Sequence, residues 1–140
     1  VIPMARRRLA DAGLKRNVRL VAGDYLTDAL PRGADLAWVS AIVHQNSRAE
    51  NRSLFANTFQ ALEPGGRIAL RDILMDPSRT RPAAGALFAA NMLVATPGGG
   101  TYTFDELRED LESAGFIRPT VARRDPGMNS VVVAEKPARH

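Results

Sequence analysis

Side chains that could move a proton or hold a ligand lie at or just after the ends of three predicted strands of this chain. Asp24 comes after a β-branched run, His44 ends a nearly continuous apolar run, and Asp72 lies near the end of a third apolar stretch. Ser40 belongs to the same segment as His44. In parallel sheets, ligands bind beyond the carboxyl ends of the strands, so these residues are candidate site residues. Histidine suits general-base chemistry because its ordinary pKa lies close to neutrality.

Two capping boxes and several breaks define the elements that must position these residues. Ser47 with Glu50 and Thr103 with Glu106 each give the Ser/Thr-x-x-Glu spacing that begins a helix. In chain order the predicted elements are a helix at Met4–Ala12, strands at Val18–Ala22 and Asp35–Val43, a helix from Ser47 ended by Pro64-Gly65-Gly66, a strand at Arg67–Leu74, a helix at Ala83–Ala95, a helix from Thr103 to Ala114 before Gly115, and strands at Arg118–Arg123 and Ser130–Glu135.

This alternation predicts one α/β domain over residues 1–140, with a mostly parallel sheet and a terminal antiparallel hairpin. The segment Asp35–Val43 is almost wholly apolar, which is typical of a strand buried on both faces. Trp38 is therefore predicted to be a core residue.

The composition excludes several classes of site. The 140 residues contain no cysteine, which excludes disulfides, thiolate zinc sites and cysteine nucleophiles, and only two histidines, so a histidine-rich metal site is not expected. No apolar run reaches the roughly 18 residues of a membrane span. The net charge is +4, but 17 of the 19 basic residues are arginines, a bias that indicates a GC-rich genome, and they are scattered apart from Arg6-Arg7-Arg8 and Arg123-Arg124. We therefore expect neither a nucleic-acid nor a membrane partner.

Taken in order, the motifs resemble the class I S-adenosylmethionine-dependent methyltransferases. Within that class they are most similar to small-molecule O-methyltransferases of the hydroxyindole and caffeic-acid type. The resemblance rests on Gly23-Asp24 after a strand, on ALEPGGRIALRD before Asp72, and on TFDELREDLESAGF from Thr103. It implies a Rossmann-like fold, S-adenosylmethionine as methyl donor, a small-molecule acceptor and a cytoplasmic enzyme that needs no metal.

The resemblance also implies roles for individual residues. His44 would be the general base that takes the proton of the acceptor hydroxyl, and Asp72 would orient its imidazole. Asp24 would accept from the adenine amino group, and Tyr25 would pack on the adenine ring. The remaining implied positions are Ser40 near the methionine moiety of the cofactor, and Asn91 and Met92 in the wall of the acceptor pocket.

Structural roles remain open for several of these residues. Gly23-Asp24 is also a common turn pair, so Asp24 could serve an Asx turn. Asn91 and Met92 could be ordinary packing residues, and His44 or Asp72 could be polar residues at a strand end. Gln45 stands where many of the resembling enzymes have an acidic residue after the histidine.

The family's glycine-rich cofactor loop is absent, so the chain is expected to be a C-terminal portion that lacks the first two strands and is inactive alone. The exposed sheet edges would then favour a homodimer or higher oligomer. Two alternatives stay open: a non-catalytic α/β module that dimerises, and methylation at nitrogen or carbon. A nucleic-acid methyltransferase is disfavoured, because Ser40-Ala41-Ile42-Val43 replaces the Asn/Asp-Pro-Pro-aromatic motif of that class.

Overall fold

The computed structural model describes residues 1–138 of the chain. Helices and strands alternate along most of it, as the sequence patterns predict. In chain order the elements are α1 (Ile2–Asp11), β1 (Ala34–Ser40), a 3₁₀ turn (Val43–Gln45), α2 (Arg48–Ala61), β2 (Leu62–Asp72), β3 (Leu74–Met75), α3 (Ala83–Ala95), β4 (Tyr102–Thr103), α4 (Phe104–Ser113), β5 (Ile117–Arg123) and β6 (Ser130–Glu135).

The main sheet has the strand order β1-β2-β6-β5. Strands β1 and β2 are parallel, whereas β6 is antiparallel to both of its neighbours. A separate two-stranded parallel sheet joins β3 to β4. The α/β class and the terminal antiparallel hairpin are confirmed, but the main sheet is mixed rather than mostly parallel. The difference arises because the hairpin supplies two of the four strands and inserts β6 next to β2.

Two predictions about the first strands are wrong. The segment Val18–Ala22 forms no strand and is mostly exposed. Within residues 1–138 it has no strand beside it, so the β-branched residues gain no ladder hydrogen bonds. Strand β1 ends at Ser40 and forms one edge of the sheet, where Trp38 is 56% exposed instead of buried in the core. Its apolar sequence would suit a central strand, but no strand within residues 1–138 pairs with its outer edge.

Both predicted capping boxes are present. The Ser47 hydroxyl accepts from the backbone N–H of Glu50, and the Glu50 carboxylate accepts from the backbone N–H of Ser47. That backbone hydrogen bond holds the pKa of Glu50 below its usual value. Thr103 and Glu106 make the same reciprocal pair at the start of α4. The two helices that cover the sheet therefore begin where the sequence predicts.

The core lies between the main sheet and helices α2 and α4. Its innermost side chains come from both layers: Phe55, Ile68, Leu70, Leu111, Phe116 and Val132. The two helices are also joined by Arg48, whose guanidinium donates to both carboxylate oxygens of the buried Asp110 at 3.0 and 2.8 Å. These hydrogen bonds raise the pKa of Arg48. The result is a fixed frame behind the carboxyl ends of β1 and β2.

Helix α3 has the predicted bounds, and its sequence AAGALFAANMLVA carries no charge. It packs against β3 and against the 3₁₀ turn. Leu87, Leu93 and Val94 on this helix are at least three-quarters exposed. No helix within residues 1–138 combines the length and apolar character that crossing a bilayer requires.

Candidate active site

The centre of the candidate site is a buried pair, His44 and Asp72. Asp72 is the last residue of β2, and His44 lies in the turn that follows the neighbouring parallel strand β1. Nδ1 of His44 is 2.9 and 3.0 Å from the two carboxylate oxygens of Asp72, and each residue is only 6% exposed. The backbone N–H groups of His44 and Ile73 also donate to this carboxylate, at 3.3 and 2.8 Å.

This geometry fixes the chemistry of the imidazole. An ionised carboxylate only accepts hydrogen bonds, so Nδ1 of His44 is assigned the proton. Nε2 then keeps a lone pair and can accept a proton from another molecule. If it did so, the adjacent carboxylate would stabilise the imidazolium that forms. The pair has the arrangement of a general base with its orienting carboxylate.

The turn around His44 is held by backbone contacts from two other elements. The carbonyl of Val43 accepts from Nδ2 of Asn51 at 3.1 Å, and the carbonyl of His44 accepts from the N–H of Gly100 at 2.9 Å. The ring of Phe88 on α3 meets the imidazole edge-on, with centroids 4.9 Å apart. Helices α2 and α3 and the glycine-rich segment together set the position of the imidazole.

Gly99 allows this close approach. A Cβ built at Gly99 would lie 2.4 Å from the carbonyl oxygen of His44 and 2.5 Å from Oγ1 of Thr96. A Cβ at the neighbouring Gly100 would meet nothing within 4 Å. In the sequence, Pro97-Gly98-Gly99-Gly100 indicates a break after α3. Its contact with the turn could not be inferred without knowing that α3 packs there.

Asp24 lies at an exposed turn. Its Oδ1 accepts from the N–H of Leu26 at 2.9 Å, and its own N–H donates to Asp28 at 2.8 Å. This is the Asx-turn arrangement that the sequence left open. The carboxylate also lines an open depression of about 280 Å³ together with Tyr25. The turn and a ligand role are compatible, since a carboxylate accepts several hydrogen bonds.

Tyr25 is half-buried and reaches from this depression toward His44. Its hydroxyl donates to Oδ1 of Asn46 at 3.0 Å, and its backbone carbonyl accepts from Nδ2 of Asn57 at 3.2 Å. Asn46 lies two residues after His44, and its side chain is buried. Sequence patterns do not identify four residues around His44, because no spacing rule links them to it: Asn46, Asn51, Phe88 and Gly99.

The other predicted site residues are less closely joined to the pair. Oγ of Ser40 accepts from Nη1 of Arg71 at 3.1 Å and still has its own proton to donate. Met92 is buried, whereas Asn91 is exposed. The structure therefore brings together His44 and Asp72 directly and Tyr25 through Asn46. Among the described residues, no hydrogen bond connects Ser40 or Asn91 to this group.

Comparison with known proteins identifies the family to which this fold belongs. Residues 1–117 match the family model of the O-methyltransferase domain. The chain is 35% identical over 137 residues to the 3-hydroxy-5-methyl-1-naphthoate 3-O-methyltransferase of Streptomyces sahachiroi, covering 97% of this chain and 39% of that protein. It is 30% identical over 141 residues to the L-tyrosine C(3)-methyltransferase of Streptomyces lavendulae, covering 96% and 38%.

The fold also resembles the crystal structure of human N-acetylserotonin methyltransferase in complex with SAM. The TM-score is 0.76 at 28% identity, covering 83% of this chain and 33% of that one. The chain spans about two fifths of the length of the curated relatives it matches.

Replacing Gly99 by alanine tests the close contact with the turn. We expect Gly99→Ala to destabilise the chain by about 1–3 kcal/mol, because the new methyl group overlaps the His44 carbonyl and Thr96. Gly100→Ala is the matched control and should change stability by no more than about 1 kcal/mol, since its Cβ faces open space. Urea unfolding of both variants measures the difference, and equal stabilities would show that the segment does not pack against His44.

Proposed function

Because the chain belongs to the family of O-methyltransferase domains, we propose that its protein transfers a methyl group from S-adenosylmethionine to a hydroxyl of a small molecule. The observation that carries this proposal is the buried His44–Asp72 pair, in which no hydrogen bond within the described residues occupies Nε2. Proton removal from a hydroxyl needs a base of near-neutral pKa within hydrogen-bond reach, and histidine is the residue type whose ordinary pKa lies in that range.

The residues of the chain divide the work as follows. S-adenosylmethionine, when bound, supplies a methyl group on a positively charged sulfur. Nε2 of His44 would accept the proton of the acceptor hydroxyl as that oxygen takes the methyl group, and the sulfur of the donor would leave as a neutral thioether. Asp72 holds the imidazole in the Nδ1-protonated tautomer and stabilises the imidazolium. Much of the remaining acceleration would come from holding the two reactants in line.

Asp24, Tyr25 and Ser40 are the proposed cofactor-binding residues. The exposed Asp24 carboxylate can accept from an exocyclic amino group, and Tyr25 beside it offers an aromatic surface in the same depression. Ser40 can donate its hydroxyl proton to a polar group at the end of β1. These donor and acceptor types fit an adenosyl group and an amino-acid group at separate ends of one ligand.

Helix α3 is the proposed wall of the acceptor site. Phe88 touches the imidazole, and Met92 is buried on the same helix one turn further on. An apolar wall with an adaptable methionine suits an aromatic acceptor. Asn91 is the polar group that this helix could offer to the acceptor.

Transfer to carbon is the second candidate. It is favoured by the 30% identical relative, whose name states a C(3)-methyltransferase of tyrosine. Transfer to nitrogen remains with it as an alternative. Matched acceptors that differ only in hydroxyl, amine or activated carbon would separate the three reactions by the bond that the methyl group forms.

We also propose that the 140 residues alone do not turn over and that they associate. The chain spans about two fifths of the relatives' length, and β1 leaves one sheet edge unpaired among the described residues. A second copy could pair with this edge. Light scattering of the isolated chain should report a dimer or larger, and a monodisperse monomer would contradict this part of the proposal.

The cofactor role of Asp24 predicts a change in ligand affinity. In the protein as its gene encodes it, Asp24→Ala should raise the Kd for S-adenosylhomocysteine about tenfold or more. The reason is that a hydrogen bond to a charged group contributes about 1.5–3 kcal/mol. Asp11→Ala removes an exposed carboxylate from α1 and serves as the control. Calorimetric titration measures both, and an unchanged Kd in Asp24→Ala would remove Asp24 from the site.

The base role of His44 predicts a change in turnover. In the same protein, His44→Gln should lower kcat by about 10²–10⁴ with a smaller effect on KM, because the base acts in the transition state. Asp72→Asn should also lower kcat, because the carboxylate that orients the imidazole is lost. Gln45→Ala, at the exposed neighbour, is the control. Unchanged turnover in His44→Gln would exclude proton removal by this residue.

A further inference from the structure

Asn46 connects two parts of the candidate site, Tyr25 and the turn that carries His44, and it lies 21 residues after Tyr25 in the chain. Its Oδ1 accepts from the Tyr25 hydroxyl at 3.0 Å, and its Nδ2 donates to Oδ1 of Asn51 at 3.1 Å. Asn46 is 4% exposed and Asn51 is fully buried. Both ends of the Asn46 amide are therefore engaged, one toward Tyr25 and the other toward α2.

The chain of hydrogen bonds continues to the turn that carries His44. Nδ2 of Asn51 donates to the carbonyl of Val43, the residue before His44. The backbone carbonyl of Asn46 accepts from the hydroxyl of Tyr102. The Tyr102 hydroxyl is a donor because tyrosine is protonated at neutral pH, and burial, and next the nearby Glu106 carboxylate, raises its pKa further. The 3₁₀ turn is thus held on both sides of His44 by side chains joined through Asn46.

Packing alone does not account for this arrangement. Two neighbouring amides and a tyrosine hydroxyl would cost free energy in a buried position unless each found a partner, and apolar side chains could fill the same volume. In this chain each of the three is satisfied by another member or by the turn itself. Tyr25 is in turn tied to α2, because Asn57 donates to the carbonyls of Tyr25 and Leu26. Displacing Tyr25 would therefore pull on the group that fixes the turn.

We propose that Asn46 is a positioning residue that couples the Tyr25 hydroxyl to the turn carrying His44. A planar ligand that packs beside Tyr25 then sets the orientation of the imidazole, so the base is aligned when the methyl donor is in place. This second statement rests on the proposed function, whereas the coupling itself is a property of the chain without ligand.

The test reads the imidazole directly. The 140-residue chain is labelled with ¹⁵N-histidine, and His140→Gln in every sample leaves His44 as the only histidine signal. The ¹⁵N shifts of the ring report which nitrogen carries the proton. Tyr25→Phe removes only the hydroxyl that donates to Asn46, and Asn46→Ala removes the bridge. Thr58→Val is the matched control, because it removes one buried hydroxyl hydrogen bond, to the carbonyl of Leu54 at 2.8 Å, elsewhere on α2.

We expect both Tyr25→Phe and Asn46→Ala to shift the ring signals of His44 toward a mixture of tautomers, because a displaced turn weakens the hydrogen bond from Nδ1 to Asp72 that fixes the tautomer. The larger shift is expected in Asn46→Ala. Thr58→Val should leave the signals as in the parent. If Asn46→Ala does not fold, Tyr25→Phe alone decides. Unshifted signals in Tyr25→Phe would overturn the coupling, and so would an equal shift in Thr58→Val, which would indicate general loosening.

Addition of S-adenosylhomocysteine to the protein as its gene encodes it distinguishes a failure of this proposal from a failure of the proposed function. If that ligand binds, it should shift the His44 signals, and Tyr25→Phe should reduce this shift. Failure of the ligand to bind would count against the proposed function, while the result without ligand would still decide whether Asn46 couples Tyr25 to His44.

Discussion

Burying an imidazole and a carboxylate side by side is the constraint on which the site depends. A charged or polar group away from water is costly unless its hydrogen bonds are complete. The Asp72 carboxylate therefore needs the N–H groups of His44 and Ile73 as well as the ring. Those contacts require β1 and β2 to end at the same level, and the parallel pairing of Ser40 with Arg71 places the two ends together.

Helix α2 carries the second set of constraints. Its capping box fixes where the helix starts, directly after the turn, and its buried face supplies Asn51. From there the amide network extends to Asn46 and Tyr25, and Arg48 ties the same end of the helix to α4. The start of α2 thus serves both as an element of the fold and as a support for the turn that carries the candidate base.

The elements with strong local signals could be predicted from the sequence. The two capping boxes, the Ala-rich helix α3 and the terminal hairpin form where their residue patterns indicate, because each depends mainly on neighbours along the chain. Asp72 and His44 could be named because the ends of parallel strands meet.

What could not be predicted depends on partners distant in sequence. Val18–Ala22 has strand-forming residues but no strand beside it in the described chain, and Trp38 is exposed for a related reason. The place of β6 next to β2 is a choice of topology that hydrophobic pattern does not encode. Gly99 and Asn46 have no motif, since their importance arises only when α2, α3 and the turn are packed together.

The measurement that tests the account most directly is the protonation state of the unmodified His44 ring, read from its ¹⁵N shifts at neutral pH. The account predicts a proton on Nδ1, shared with Asp72. A proton on Nε2 would leave that nitrogen without a lone pair to accept the hydroxyl proton, which would contradict the assignment of His44 as the base.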